Sequence, residues 1–487
     1  MAAEHAPPEG AQATANNPEN ASTAAIKREE IVCILRPPTE TGGEYLIYAL
    51  SEGSTSDDGK PFSLRVVPTG QLPDDLSAFL LDQDAVPPSH LRLPHQVHVV
   101  VSTHSGLRRA PDFFENVLRP LLGALGLKQG DGDGAGYRVT VTQDANTVRN
   151  LARELARDVH AGEKTVVLLS GDGGVVDLLN GLDRAAAAAP SPSPSASSSS
   201  TAAPPTIALL PLGTGNALFH SLHKPQYAGT NPPSPLVLAL RTFLAGRPAP
   251  LPVFRASFSP GARLVGSNTP PPGPEAPAPN PAEAQQQPGQ REQPEQPAPT
   301  PHHRDGDEDE NEAAVPHLLG AIVASYGFHA SLVWESDTPA YRAHGARRFG
   351  MAAAALLEEA HGYRARVERF GYVLATLVSS LEQTFTISPA SRPLDGRLRL
   401  VHFGAVGGAR TMEIMTAAYR DGAHVGMDEV GYEEVDEVRV TVDEEAPRWR
   451  KMCVDGTIVE VERGGWMSVR REGRVWLRVL VDGVHVR

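Results

Sequence analysis

The sequence predicts an α/β protein, with a doubly wound parallel sheet followed by a C-terminal, largely antiparallel β-sandwich domain. Three observations predict it. Val/Leu-rich strands alternate with amphipathic segments from His95 to about residue 245. Two of those strands end in glycine-rich turns that open straight into helical patterns. From Tyr363 onward, short strand patterns follow one another closely.

Residues 1–25 are Ala, Pro, Asn and Glu without periodicity and read as a disordered tail. In 30–94, IVCILR, EYLIYAL and FSLRVVP read as strands and LPDDLSAFLL as a helix, a small N-terminal β module without evident chemistry. The α/β domain is expected over 95–245. HQVHVVVS, YRVTVTQ, KTVVLLSG and TIALLPLG are its strands. FFENVLRPLLGALGL, NTVRNLARELARDVHA, GVVDLLNGLDRAAA and NALFHSLH carry apolar residues at helical spacing. A Ser/Pro/Ala-rich insert at 185–205 interrupts it. The second domain is expected over 246–487, with a Pro/Gln-rich and acidic insert at 260–316. Neither insert has enough apolar surface to offset the entropy of ordering, so both read as disordered loops whose ends meet in space. LLGAIVASYGFHASLVW reads as strand, YRAHGARRFGMAAAALLEEAHGY as helix, and RARVERF, FTISP, LRLVHFGAV, VDEVRVTV, MCVDGTIVEV, WMSVRR and VWLRVLVDG as strands.

Composition narrows the function. Lys and Arg number 44 against 58 Asp and Glu, a net charge of −14, which argues against a nucleic-acid binder. Only Cys33 and Cys453 are present, too few for a disulfide scaffold or a cysteine zinc module, and they fit a reducing compartment. The N-terminus lacks a basic, then apolar, secretory pattern. No stretch reaches the 18 apolar residues of a spanning helix. The expectation is a cytoplasmic protein whose membrane contact is peripheral.

The chemistry sits at two strand ends. Ser170-Gly171-Asp172-Gly173-Gly174 closes one strand and opens a helix. Open α/β sheets bind ligands at the carboxyl ends of their strands. Glycines there let backbone N–H groups reach an anion, and a carboxylate among them can take a proton from a hydroxyl or hold a metal ion. The same residues also fit a plain turn with Asp172 as N-cap. Pro211-Leu212-Gly213-Thr214-Gly215-Asn216-Ala217 repeats the pattern on the next strand. It suits a phosphate cradle, or a helix capped by Thr214 or Asn216. His302 and His303 read as solvated, His220 and His223 as surface or packing residues, and Trp334, Trp449, Trp466 and Trp476 as core.

Together the two turns resemble the diacylglycerol kinase/sphingosine kinase superfamily of lipid kinases, with the sphingosine kinases the nearer match. The resemblance runs from His95 to Arg487. SGDGGVVDLLNGL is similar to the family's SGDG…E…NGL signature, with Asp177 where a Glu is usual. LLPLGTGNALFHSLHKPQYAG, ASYGF (324–328), ES…YR…G…RF (335–349) and CVDG (453–456) resemble further family segments. The resemblance implies a nucleotide between an α/β sheet and a β-sandwich, and transfer of the γ-phosphate of ATP, with Mg²⁺, to a lipid primary hydroxyl. Asp172 is then the general base. Ser170, Gly171 and Gly173 border nucleotide and acceptor. Gly213, Thr214 and Gly215 hold phosphates. Arg342 and Arg348 contact nucleotide phosphates, although a solvated charge face is the other reading of them. Asp455 and Gly456 approach the nucleotide and its magnesium. Thr142 and Asn146 match a loop on the adenine side. The metal ligands themselves are left unassigned.

Three departures stand out. Where the family has Asn-Pro and two or three glycines after the first strand, this chain has Ser102-Thr103-His104-Ser105-Gly106-Leu107-Arg108. Ser102, Thr103 and His104 remain as candidate nucleotide contacts. The family's late Asp-Gly-Glu reads Asp455-Gly456-Thr457. The Asp that meets the sphingoid head group aligns with Val333, with Ser331, Glu335 and Asp337 nearby as substitutes. These departures motivate a second reading, a pseudokinase that binds nucleotide or lipid. A third, a kinase acting on NAD, shares the GGDG-type turn but not the GTGNA segment.

Overall fold

A computed structural model describes residues 26–36, 44–53, 60–81, 86–92, 94, 96–130, 136–158, 162–188, 203–228, 230–266, 314–344, 347–365 and 369–482. The expected tail, most of both inserts, and His95, His302 and His303 lie outside them.

The first sheet has seven strands. In spatial order they are Lys128–Gln129, Gly136–Val141, Gln96–Val101, Lys164–Ser170, Thr206–Pro211, Arg478–Val481 and Arg247–Pro250. All neighbours are parallel except the last pair. The central strands are buried along their length because helices cover both faces, which is why they read as unbroken Val/Leu runs. Thr147–Arg157 packs against Asp172–Ala188 on one side. Ala110–Ala124, with a wide turn at Phe114–Leu118, and Pro235–Ala245 contribute to the apolar core on the other.

The N-terminal strands Ile31–Leu35, Tyr45–Glu52 and Phe62–Thr69 form an antiparallel sheet of their own. It shares the core of the α/β domain: Phe62 meets Phe113 edge to face at 5.2 Å, and Arg241 Nε donates to the Ile31 carbonyl at 2.8 Å. The expected helix there is a short 3₁₀ helix, Asp74–Phe79.

The second domain stacks a four-stranded antiparallel sheet (His317–Gly320, Val253–Phe258, Trp466–Glu472, Glu437–Thr441) with a larger one. The larger sheet runs Arg263–Leu264, Thr457–Glu460, Lys451–Val454, Val323–Gly327, Arg369–Thr376, Arg399–Gly404 and Val430–Glu434. The ends of the second insert meet as expected: Arg263 bridges Ala314, and Val315 N–H donates to the Ala262 carbonyl at 2.9 Å.

Four expectations need correction. The last strand pattern, placed in the second domain, belongs to the first sheet: Arg478–Val481 inserts beside Thr206–Pro211. A period-two apolar run states that it is a strand, not which sheet takes it. The helix Asp172–Ala188 runs past the boundary drawn at 185. LLGAIVASYGFHASLVW is strand only to Gly327, whose φ of +88° turns the chain into the helix Phe328–Ser336. FTISP is not a regular strand, while Gly408–Ala418 forms a helix that was not anticipated.

Candidate functional site

Because the strands are parallel, the loops after Val101, Val141, Ser170 and Pro211 all leave one edge of the sheet. Three of them interlock. Gly213 lies so close to Gly171 that a side chain on Gly213 would come within 2.3 Å of the Gly171 Cα. Gly106, at φ +51°, would place a Cβ 2.5 Å from the Leu212 carbonyl oxygen. Ser105 Oγ accepts from the Gly171 N–H at 3.4 Å and sits 2.7 Å from Ser102 Oγ. The single glycine of the first loop is therefore where a glycine is needed.

Asp172 is neither its own helix's cap nor an idle turn residue. Its carboxylate crosses to the second turn and accepts from the N–H groups of Ala217 (2.7 Å) and Leu218 (3.1 Å). It thus caps the helix Ala217–His223. Asn216, at φ 52°, turns its side chain back instead: Oδ1 accepts from Gly213 N–H at 3.0 Å and Nδ2 donates to the Gly213 carbonyl at 2.9 Å. Burial raises the Asp172 carboxyl above the ordinary range, against the two amide bonds that lower it.

Asp455 comes from the opposite domain. It occupies the two-residue turn of the hairpin Lys451–Val454/Thr457–Glu460, with Asp455 at φ 47° and Gly456 at +88°, both left-handed as such a turn requires. Its carboxylate accepts N–H bonds from Ala321 (2.6 Å), Ile322 (3.1 Å) and Val323 (2.6 Å). Desolvation nevertheless pushes it up to about 7, with Asp172 adding to the rise. The two aspartates therefore feel each other across the gap between domains.

That gap is a cleft of about 630 Å³. From the first domain Arg149, Asp172, Gly173, Asp177 and Gly215 line it. From the second come His329, Val333, Trp334, Asp337, Arg348, Asp455 and Gly456. Asp177 is paired with Arg149 Nε at 2.9 Å. Asp337 receives Arg342 at 2.6 Å and Arg348 at 3.1 Å. The two arginines are thus brought together, and of the two only Arg348 lines the cleft.

Several expected site residues lie one layer back. Thr103 and Thr142 bond one another, Thr103 N–H to Thr142 Oγ1 at 3.0 Å, and His104 Nδ1 bonds Thr103 Oγ1 at 2.8 Å. Neither these residues nor Ser102 line the cleft. Asn146 lines an adjoining cavity of about 560 Å³. Ser170 and Gly171 border a small pocket beneath Asp172, and Gly213 packs on Gly171. His220 and His223 are buried, the latter bonding the Phe219 carbonyl and Thr242. Trp334, expected in the core, stands in the cleft wall. Arg149, His329 and Trp334 carried no local signal, since the cleft they line forms only where the two domains meet.

Two fasteners hold the domains around the cleft. Asn180, eight residues into the Asp172 helix, donates to the Leu319 carbonyl (3.0 Å) and accepts from its N–H (2.9 Å). It covers the free edge of the strand His317–Gly320 as another strand would. Ser221 Oγ likewise donates to the Ser380 carbonyl and accepts from its N–H, both at 3.0 Å.

Residues 96–255 match the family model of the diacylglycerol kinase catalytic domain. The match spans about a third of the chain and marks residues 96–255 as similar to a kinase-type phosphotransferase domain. Comparison with curated proteins gives no match. Two solved structures from Bacillus anthracis str. Sterne, the second described as a diacylglycerol kinase, are 12% and 11% identical, with TM-scores of 0.46 and 0.42. Each comparison covers 80% of this chain and 98% of the other. Among the described residues no helix is long and apolar enough to cross a membrane.

Proposed function

We propose that the protein is a lipid kinase that transfers the γ-phosphate of ATP to a lipid primary hydroxyl at a membrane surface. The observation that supports this most is the meeting of interlocked glycine turns with Asp172 and Asp455 on one interdomain cleft. Phosphoryl transfer asks little covalent chemistry of a protein; position and charge supply most of the rate. The hydroxyl oxygen of the acceptor attacks the γ-phosphorus, the bond from that phosphorus to the β-bridging oxygen breaks, and ADP leaves. The hydroxyl proton passes to Asp172. Its carboxylate oxygens each accept one amide bond, so each keeps a lone pair for that proton. Arg348, at the cleft wall, adds positive charge toward the phosphates.

Asp455, whose rise Asp172 adds to, is the group fitted to a divalent cation: two carboxylates lining one cleft favour a positive charge between them. Magnesium bound there supplies neutralisation of phosphate charge.

A second reading, a nucleotide-binding pseudokinase, is favoured by one observation: both Asp172 oxygens already serve as a helix cap, while Thr457 stands where a further carboxylate is expected. Labelled ATP and a micellar panel of diacylglycerol, ceramide, phytosphingosine and sphingosine separate the two. General-base loss in Asp172→Asn lowers transfer by about 10²–10⁴-fold, with nucleotide binding retained. Full activity of that variant refutes the base. Nucleotide binding by the wild type without any transfer selects the pseudokinase.

A further inference from the structure

Three charged side chains meet at the second-domain wall of the cleft. Asp337 follows the helix Phe328–Ser336, Arg342 ends the short helix Pro339–Arg342, and Arg348 opens the helix Arg348–Glu359. Both Asp337 oxygens take Arg342: Nε donates to Oδ1 at 2.9 Å and Nη2 to Oδ2 at 2.6 Å. This two-point fork is the stronger form of such a pair. Arg348 reaches Oδ1 with one nitrogen, Nη1, at 3.1 Å. Asp337 and Arg348 line the cleft, and Arg342 does not. Glu335, the neighbouring carboxylate, is drawn away by Arg448 at 2.9 Å. The first turn of the Arg348 helix holds no acidic residue, so the positive end of that helix also favours an anion beside Arg348. Asp337 supplies that anion from within the chain.

We infer that Asp337 is a built-in competitor of nucleotide phosphates for Arg348, and that Arg342 is a positioning residue that acts through Asp337 rather than on the phosphates. A phosphate that takes Arg348 must displace one bond to Asp337 and lie near its negative charge. The Arg342 fork holds that carboxylate and neutralises it, so Arg348, with the weaker hold, is the arginine released. With Asp337 the cluster carries one net positive charge; without it, two. Asp337 therefore sets how tightly the cleft holds a polyphosphate. This rests on the nucleotide half of the lipid-kinase reading above.

The test is calorimetric titration of the full chain with ATP, and with adenosine as the ligand that lacks phosphates. Asp337→Asn should tighten ATP by about three- to fivefold, the scale of one partly exposed ion pair, and the gain should shrink as salt is raised. Arg342→Gln should weaken ATP by a similar factor, because Asp337 then falls wholly on Arg348. The double variant should bind as tightly as Asp337→Asn alone, since Arg342 has no work left once the carboxylate is gone. Adenosine binding should stay as in wild type throughout. Asp337→Ser, equally uncharged, carries the same expectation if the asparagine variant does not fold. Unchanged or weaker ATP binding without the carboxylate overturns the inference. So does a double variant as weak as Arg342→Gln, which would place Arg342 on the phosphates, or an equal change for adenosine. Transfer to lipid is read separately. The expected binding pattern without any transfer ends the kinase reading and upholds the competitor; transfer by the wild type without tightening in Asp337→Asn does the reverse. Absence of ATP binding in wild type and variants alike overturns both.

Discussion

Asp455 allows the sharpest quantitative test. Its carboxyl is 8% exposed and rises from the ordinary 3.8 to about 7 on folding. A raised carboxyl means the folded protein binds a proton more tightly than the unfolded chain. Stability from this group is therefore greatest below the unfolded value and falls as pH rises from about 4 to about 7. At about 1.4 kcal/mol per pH unit the whole loss is about 4 kcal/mol, of which about 2–3 kcal/mol falls between pH 5 and pH 8. Asp172, raised in the same direction, adds to it. The perturbation is Asp455→Asn. The assay is urea unfolding of wild type and variant at pH 5, 6, 7 and 8. The variant starts less stable, because an amide cannot accept all three N–H bonds at the hairpin turn. Its pH slope, however, should be shallower by about 2–3 kcal/mol across that range. Magnesium should stabilise the wild type more at pH 8 than at pH 5, since it binds the ionised pair. Parallel wild-type and variant curves would refute both the raised titration and the coupling across the cleft.

Two further outcomes follow from the site. Asn180→Leu leaves the Leu319 N–H and carbonyl buried without partners, at about 1–3 kcal/mol each, so the urea midpoint should fall markedly; an unchanged midpoint would mean the domains do not depend on that fastener. Gly213→Ala drives a methyl group into the Gly171 backbone and should weaken nucleotide binding by about tenfold or more by calorimetry, about 1.4 kcal/mol, whereas Gly123→Ala, with open space around it and away from the cleft, should bind as wild type.

What the sequence made legible was local. The Val/Leu runs at 96–101 and 164–170 gave the buried strands, and the glycine-rich turns at 171–174 and 213–215 gave the sheet edge where the loops interlock. What it left unread was contact between distant residues. Nothing near Asp172 says that its carboxylate caps a helix beginning at Ala217, because the bond exists only once two parallel strands lie side by side. Nothing near Asp455 announces the three amides of Ala321–Val323. Phe328–Ser336 reads as strand because Phe328, Ala330 and Leu332 alternate with His329 and Ser331, a period of two. Trp334 was assigned to the core for its type alone, and the cleft claimed it.

The insertion of Arg478–Val481 into the first sheet reaches beyond topology to the order in which the molecule is made. The strand that completes the glycine-turn domain is the last strand of the described chain to leave the ribosome. Until Val481 has been synthesised, Thr206–Pro211 and Arg247–Pro250 lack the partner that separates and joins them. The second domain, built from intervening residues, must fold or wait while the first remains open. The two domains are thus one stitched unit, and no cut between them yields a finished half.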